Sequence, residues 1–156
     1  MTAWPAIAAA VVVAPHLWGP PSGGPIRLKP APTQVAAQQP GRTSNDAVFT
    51  AAQAGRGETL YQQQCASCHG QALAGAEAAP ALAGPAFFGS WNEAPLGDFF
   101  DRIRISMPQD KPGSLSRQQT AEIVAYILSF NKAPAGQTDL ASDTELLKAI
   151  KIVPSK

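Results

Sequence analysis

Two cysteines and a histidine form a short cluster whose spacing suits cofactor attachment. Cys65 and Cys68 are the only cysteines of the chain, and His69 follows directly. This C-x-x-C-H pattern is the attachment signature of c-type haem. Two thiols at this spacing can each add to one vinyl group on a haem edge, and the next residue then directs its imidazole at the iron. The pattern therefore predicts one covalent haem c whose iron is bound by His69.

Two other kinds of site use part of the same pattern. A redox dithiol of the thioredoxin type also uses C-x-x-C, but it is expected beside a βαβ unit, and the sequence shows no alternating strand pattern. A zinc site needs four ligands, and beyond the two cysteines and His69 only His16 and carboxylates remain. Haem attachment is therefore the favoured interpretation.

Met107 is the predicted second ligand of the iron. Apart from Met1 it is the only methionine, and it stands at the end of an apolar stretch directly before Pro108. A His/Met pair closes both axial positions and raises the reduction potential, which suits electron transfer rather than oxygen or peroxide chemistry. The alternatives are that Met107 fills the core, or that His16 in a proline-rich stretch is the sixth ligand.

Helical periodicity predicts the elements that position these residues, so the expected fold class is all-α. A capping-box pattern from Thr50 to Gln53 opens a first helix that runs to about Gln64. Gly55 and Gly57 weaken this helix by about 1 kcal/mol each relative to Ala, which indicates close packing against them. A loop rich in Ala, Gly and Pro is expected over residues 70–95.

Two further long helices carry apolar residues at spacings of three and four. The first stripe ends before Pro108 and comprises Leu96, Phe99, Phe100, Ile103 and Met107. The second follows a capping box of Ser116 with Gln119 and comprises Thr120, Ile123, Ile127 and Phe130. A last short helix is expected from Ser142, where Glu145 completes another capping box.

The chain divides into three predicted parts. Residues 1–40 hold an uncharged apolar run of the length of a secretory signal core, followed by a proline-rich linker that is expected to be disordered. Residues 45–135 carry the main helices and the C-x-x-C-H motif. Residues 136–156 form a C-terminal tail with the short helix. The first part predicts export, and hence a periplasmic location.

Composition and charge exclude several classes of partner. Twelve Lys and Arg against eleven Asp and Glu leave a formal charge of +1, so the basic surface of a nucleic-acid-binding protein is not expected. No apolar run approaches the roughly 20 residues of a membrane-spanning helix, so no stable membrane span is expected.

Residues 45 to about 135 resemble the class I cytochrome c family, in which a helix leads into C-x-x-C-H and a methionine-bearing loop precedes the last helix. The resemblance implies a cytochrome c fold with three main helices around a covalently bound haem. It also implies that Gly57 and Tyr61 face Tyr126 where the first and last helices cross. In Pro80-Ala81-Leu82-Ala83-Gly84 the family's Pro-x-Leu-x-Gly pattern recurs. It implies that the Pro80 carbonyl accepts the His69 Nδ1–H and that Leu82 packs on the haem.

Further residues of the chain are similar to bacterial cytochrome domains that occur alone or fused to quinoprotein dehydrogenases. These residues include Phe87-Phe88-Gly89-Ser90-Trp91 and the run from Met107 to Ser116. Trp91 is expected either to donate its indole N–H to a haem propionate or simply to pack in the core. Arg102 and Arg104 are likewise candidates for the propionates, or solvated charges on an outer helix face.

These observations predict a periplasmic carrier of single electrons between a dehydrogenase, such as a quinoprotein, and a terminal oxidase. No nucleophile, base or pair of carboxylates is assembled by the sequence, so a carrier rather than an enzyme is expected. Two alternatives remain open. One is a haem enzyme or sensor whose Met107 leaves the iron to admit peroxide or a gas. The other is a haem-bearing subunit of a quinoprotein dehydrogenase complex.

Overall fold

The structure is a computed structural model that describes residues 41–77 and 79–155. The predicted leader and disordered linker of residues 1–40, including His16, lie outside the described residues. The described part is mostly helical, as predicted. Its elements are β1 (Arg42–Thr43), α1 (Ala51–Gln64), α2 (Ala66–His69), α3 (Gly84–Trp91), α4 (Leu96–Ser106), α5 (Arg117–Phe130), α6 (Thr144–Lys148) and β2 (Ile150–Lys151).

Helices α1 and α5 cross in direct backbone contact. A Cβ at Gly57 would lie 1.8 Å from the Glu122 carbonyl oxygen and 3.0 Å from the Tyr126 Cβ. One turn further along, the rings of Tyr61 and Tyr126 pack with their centroids 5.3 Å apart. The expected crossing is therefore confirmed. The expectation for Gly55 is wrong, because an added Cβ there meets nothing within 4 Å.

At the N-terminus of α1, only one of the two hydrogen bonds of the predicted capping box is present. The Thr50 hydroxyl accepts from the Gln53 amide at 3.0 Å, but the Gln53 side chain does not return to complete the predicted capping box. It is fully buried and pairs with the backbone of Leu140 instead, donating to its carbonyl at 3.0 Å and accepting from its amide at 2.6 Å. A buried amide is stabilised when both its donor and its acceptor are satisfied, and Leu140 offers both partners.

The C-terminal tail packs onto the helices as part of the same core. Its buried apolar residues are Leu140, Leu147, Ile150 and Ile152, and β2 pairs in parallel with β1. Helix α6 begins one residue after Asp143, whose carboxylate accepts from the Glu145 and Leu146 amides at 2.9 and 3.1 Å. The predicted cap at Ser142 is therefore wrong, because the carboxylate of the next residue, Asp143, accepts hydrogen bonds from both of these backbone amides.

The two long apolar stripes are buried as predicted, except at their C-terminal ends, where Met107 and Phe130 are partly exposed. Ile123 and Ile127 of α5 are at most 1% exposed, whereas Phe130 is 37% exposed at the helix end. The capping box of Ser116 with Gln119 is present. The expected loop over residues 70–95 contains α3, because Phe87 is buried edge-on against Phe99 of α4 and gives residues 84–91 a side to pack. Within the described residues, no helix combines the length and apolar character needed to cross a membrane.

Candidate functional site

The C-x-x-C-H motif forms a single helical turn directly after α1. The Cys65 amide donates to the Tyr61 carbonyl at 2.8 Å, and the His69 amide donates to the Cys65 carbonyl at 2.9 Å. Cys65 is half-buried and Cys68 is exposed, and both are free thiols. Burial, with a smaller contribution from Cys68, raises the pKa of the Cys65 thiol to about 11. The turn therefore presents one half-buried thiol and one exposed thiol beside one imidazole.

Tyr61 ties the end of this turn back to α1. Its side chain is fully buried, and its hydroxyl donates to the Gly70 carbonyl at 2.8 Å. Burial is the main cause that raises the pKa of Tyr61 above its ordinary value. The hydroxyl thus stays protonated and remains a donor, which holds the backbone directly after His69 in place.

The His69 ring is oriented by a carbonyl on another segment. His69 is 8% exposed, and its Nδ1 lies 2.8 Å from the Pro80 carbonyl oxygen. Because a carbonyl can only accept, Nδ1 carries the proton in this pair. The predicted hydrogen bond is present, and it leaves Nε2 with a free lone pair for a metal.

The segment that carries Pro80 is held by backbone hydrogen bonds to the motif and the loop after it. The Gly75 amide donates to the His69 carbonyl at 2.9 Å, and the Leu82 amide donates to the Leu73 carbonyl at 2.8 Å. Gly75 has a φ of +77°, and a Cβ there would lie 2.5 Å from the Ala79 carbonyl oxygen. Only glycine fits this close approach of two backbone strands.

Asn131 is a buried contact of this segment that the sequence patterns did not single out. It ends α5, and its side chain reaches the backbone of Leu82 and Gly84 at 2.9 Å each. The signal for a long-range role is weak in the sequence, because Asn is common where helices end.

Met107 lies at the C-terminus of α4. Its amide donates to the Ile103 carbonyl at 2.9 Å, its own backbone is extended, and the following Pro108 is buried. The side chain is half-buried against the core, rather than enclosed by it. This placement differs from that of the fully buried residues along the same helix, and it leaves part of the thioether available to another group.

Several half-buried apolar side chains border the core in the same way as Met107. They are Cys65, Ala66, Leu82, Ala83, Phe88 and Trp91. These side chains provide an apolar surface of the kind that surrounds a haem. The thiols of the C-x-x-C-H motif, the oriented His69 imidazole and the Met107 thioether are the groups that attach a haem c and bind its iron. The residues present therefore fit a covalently bound haem.

Trp91 and Arg104, two of the residues considered for contacts with the haem propionates, interact with other side chains of the protein. The Trp91 ring packs on Phe99 with centroids 4.8 Å apart, so it contributes to the core in either interpretation. The Arg104 guanidinium pairs with Asp101 at 3.2 Å and is not a simple solvated charge. Arg102 is exposed and lines a surface cleft with Trp91 and Asp98.

Comparisons with known proteins identify the family. Residues 52–127, from α1 to α5, match the family described as cytochrome c oxidase, cbb3-type, subunit III. A similar solved structure is the sulfane dehydrogenase SoxCD from Paracoccus pantotrophus, at 22% identity and a TM-score of 0.46, covering 79% of this chain and 65% of that one. No curated protein matches the chain. Residues 52–127, which include the C-x-x-C-H turn, therefore form a c-type cytochrome domain that carries one covalently bound haem c.

Proposed function

We propose that this cytochrome is an exported electron carrier that passes single electrons from a dehydrogenase towards a terminal oxidase in the periplasm. The observation that carries the proposal is the hydrogen bond from His69 Nδ1 to the Pro80 carbonyl, 2.8 Å long. It orients the imidazole and reserves Nε2 for the iron. Haem-based electron transfer follows from the cytochrome c domain.

The proposed function assigns a role to each residue of the site. Cys65 and Cys68 would hold the haem through thioether bonds, and His69 and Met107 would bind its iron. Leu82 and Trp91 would cover the haem with apolar atoms, and the Pro80 carbonyl accepts a hydrogen bond from His69 Nδ1. When bound, the haem would supply a one-electron couple at its iron. With His69 and Met107 both bound to the iron, the site would be suited to electron transfer rather than to binding of peroxide or gases.

The proposed location and partners rest on the sequence. The apolar uncharged run near the N-terminus, residues 3–14, has the length of a signal core and supports export. The resemblance to domains fused to quinoprotein dehydrogenases supports a dehydrogenase of that class as the donor. The formal charge of +1 supports a weak encounter that does not depend on a strong field.

The decisive experiment examines the sixth position of the iron in the full chain matured with its haem. We expect a sulfur-to-iron charge-transfer band in the ferric protein and slow binding of carbon monoxide to the ferrous protein. Rapid carbon monoxide binding, or reaction with peroxide at a rate typical of enzymes, would instead establish the sensor or enzyme alternative. Fractionation of the expressing cells tests the location, and haem protein confined to the cytoplasm would contradict export.

A further inference from the structure

We propose that Asn131 is a positioning residue for the iron-binding imidazole, because its side chain holds the backbone segment that presents the Pro80 carbonyl to His69. This inference rests on the proposed role of His69 as an iron ligand. It adds a residue from the C-terminal end of α5, a helix that contributes no other residue to the proposed site.

Asn131 uses both amide hydrogens of its side chain, and its amide oxygen accepts one hydrogen bond. It is 9% exposed. Its Nδ2 donates to the Leu82 carbonyl at 2.9 Å and to the Ile127 carbonyl at 2.8 Å, and its Oδ1 accepts from the Gly84 amide at 2.9 Å. One of these bonds caps its own helix. The other two reach a segment almost fifty residues earlier in the chain, which a helix cap does not require.

One of the two long-range bonds completes the attachment of Leu82, and the other holds Gly84. The Leu82 amide donates to the Leu73 carbonyl at 2.8 Å, and the Leu82 carbonyl accepts from Asn131. Both backbone polar groups of Leu82 are therefore held, one by the loop after the motif and one by α5. Pro80 lies two residues earlier and has no amide hydrogen of its own to hold it. The position of the Pro80 carbonyl therefore depends on how firmly Leu82 is held, as well as on Ala79, which exchanges two backbone hydrogen bonds with Ala76 at 2.9 and 3.1 Å.

A fixed carbonyl matters because the hydrogen bond to a ligating imidazole sets both its orientation and its basicity. The bond weakens steeply as its angle departs from linearity. A displaced Pro80 carbonyl would let the His69 ring rotate and would reduce the electron density that the ring donates to the iron. The ferric state would then be less stabilised, so the reduction potential would rise.

The C-terminal tail contacts the backbone of Asn131 and not its side chain. The Ser155 hydroxyl donates to the Asn131 backbone carbonyl. This bond leaves the Asn131 side chain free for its three partners, which makes Ser155 a useful control. Gln53 is a second control, because it is also a buried amide with two backbone hydrogen bonds. It lies at the opposite end of α1, roughly 18 Å along the helix axis from Cys65.

The test compares Asn131→Leu, Gln53→Leu and Ser155→Ala in the haem-loaded full chain. The readouts are the exchange rate of the His69 Nδ1 proton with heavy water, measured by NMR in the ferrous state, and the reduction potential. We expect exchange about tenfold faster in Asn131→Leu than in either control, since the net loss of a hydrogen bond to the segment has roughly this effect. We also expect a higher potential in Asn131→Leu alone.

The proposal is overturned if exchange in Asn131→Leu stays within the range of the two controls, or if its potential equals that of the unmodified protein. A second measurement keeps the test valid if Asn131→Leu does not fold. In the unmodified protein, native-state hydrogen exchange of the Gly84 amide and of the His69 Nδ1 proton should give the same free energy of local opening, because both protons would be exposed by the same movement of the segment. A more protected His69 proton would show that Pro80 is held independently of Asn131. An unmodified protein lacking a histidine-ligated iron would refute the proposed function itself and is recognised before any variant is made.

Discussion

The Gly57 Cα of α1 lies so close to the Glu122 carbonyl of α5 that an added Cβ would be only 1.8 Å from its oxygen. The backbones of α1 and α5 are therefore in direct contact where the two helices cross. The obstructing atoms belong to a helix backbone, which cannot move aside as a flexible side chain can. The geometry of this crossing determines where the C-x-x-C-H turn at the end of α1 lies relative to the core.

We expect Gly57→Ala to destabilise the protein by about 3 kcal/mol, the upper part of the range for overpacking a close contact. Gly55→Ala is the matched control, since a Cβ there meets nothing within 4 Å. It should stabilise the protein by up to about 1 kcal/mol through helix propensity. Urea denaturation of both variants measures the difference, and equal stabilities would contradict the crossing seen in the structure.

Cys65 and Cys68 are expected to hold the haem covalently. Protein expressed with a c-type maturation system should keep its haem after extraction with acidified acetone. A double Cys65→Ala, Cys68→Ala variant should lose the haem completely, because no thioether remains. Ser67→Ala, between the two cysteines, is the control and should retain it. Haem that is extracted from the unmodified protein would mean that attachment is not covalent.

Met107→Ala is expected to keep the haem but open the sixth position. The reduction potential should fall by on the order of 0.1 V or more, within the roughly 0.8 V range that axial ligands span. The sulfur-to-iron charge-transfer band should disappear, and carbon monoxide binding should accelerate. Ile105→Ala is the control, since Ile105 lies on the same helix and is 59% exposed. An unchanged spectrum in Met107→Ala would assign the sixth ligand to another residue.

Asp139 gives the protein a small, defined pH dependence of stability. Its carboxylate accepts a hydrogen bond from Thr50 and pairs with Arg56 at 2.9 Å, and the Thr50 bond is the main cause that lowers the pKa of Asp139. Because the folded pKa lies below the unfolded value of 3.8, the ionised group stabilises the folded state above that pH. This contribution disappears as the pH falls through the folded pKa.

We therefore expect Asp139→Asn to lower the free energy of unfolding by less than about 1 kcal/mol at neutral pH, as is usual for an exposed pair. The difference from the unmodified protein should vanish in acid. Asp110→Asn serves as the control, because Asp110 and its partner Lys111 are both 72% exposed. Urea denaturation as a function of pH provides the measurement. A difference that grows in acid would reverse the assigned sign.

Electron exchange with a quinoprotein dehydrogenase is expected to depend only mildly on salt. The formal charge of +1 implies weak steering, and redox encounters bury little area, under about 1,200 Å². Lys111→Gln, in the turn after Met107, should change the rate by less than about threefold at physiological salt. A steep loss of rate between low and physiological salt would reveal a localised charged patch. Complete inertness toward this donor would remove the proposed partner class.

The chemistry of the site could be predicted from the sequence because its central residues are neighbours in the chain. Cys65, Cys68 and His69 lie on one helical turn, so their spacing alone specifies what they can hold. The boundaries of α1, α4 and α5 were also predictable, because periodicity and the Ser116 capping box are local signals. The Pro80 contact required the resemblance to a family, since nothing local relates it to His69.

Only the tertiary structure decided which polar side chains act over long distances. The sequence positions of Gln53 and Asn131 suggest local roles at helix ends, yet the side chain of each binds backbone groups far away in the chain. Helix α3 likewise forms in a stretch rich in Ala, Gly and Pro because Phe87 packs against Phe99 of α4. Local patterns report the preferences of a segment, whereas a buried donor or ring must be satisfied by whatever the fold brings to it. The identity of that partner is a property of the packed chain.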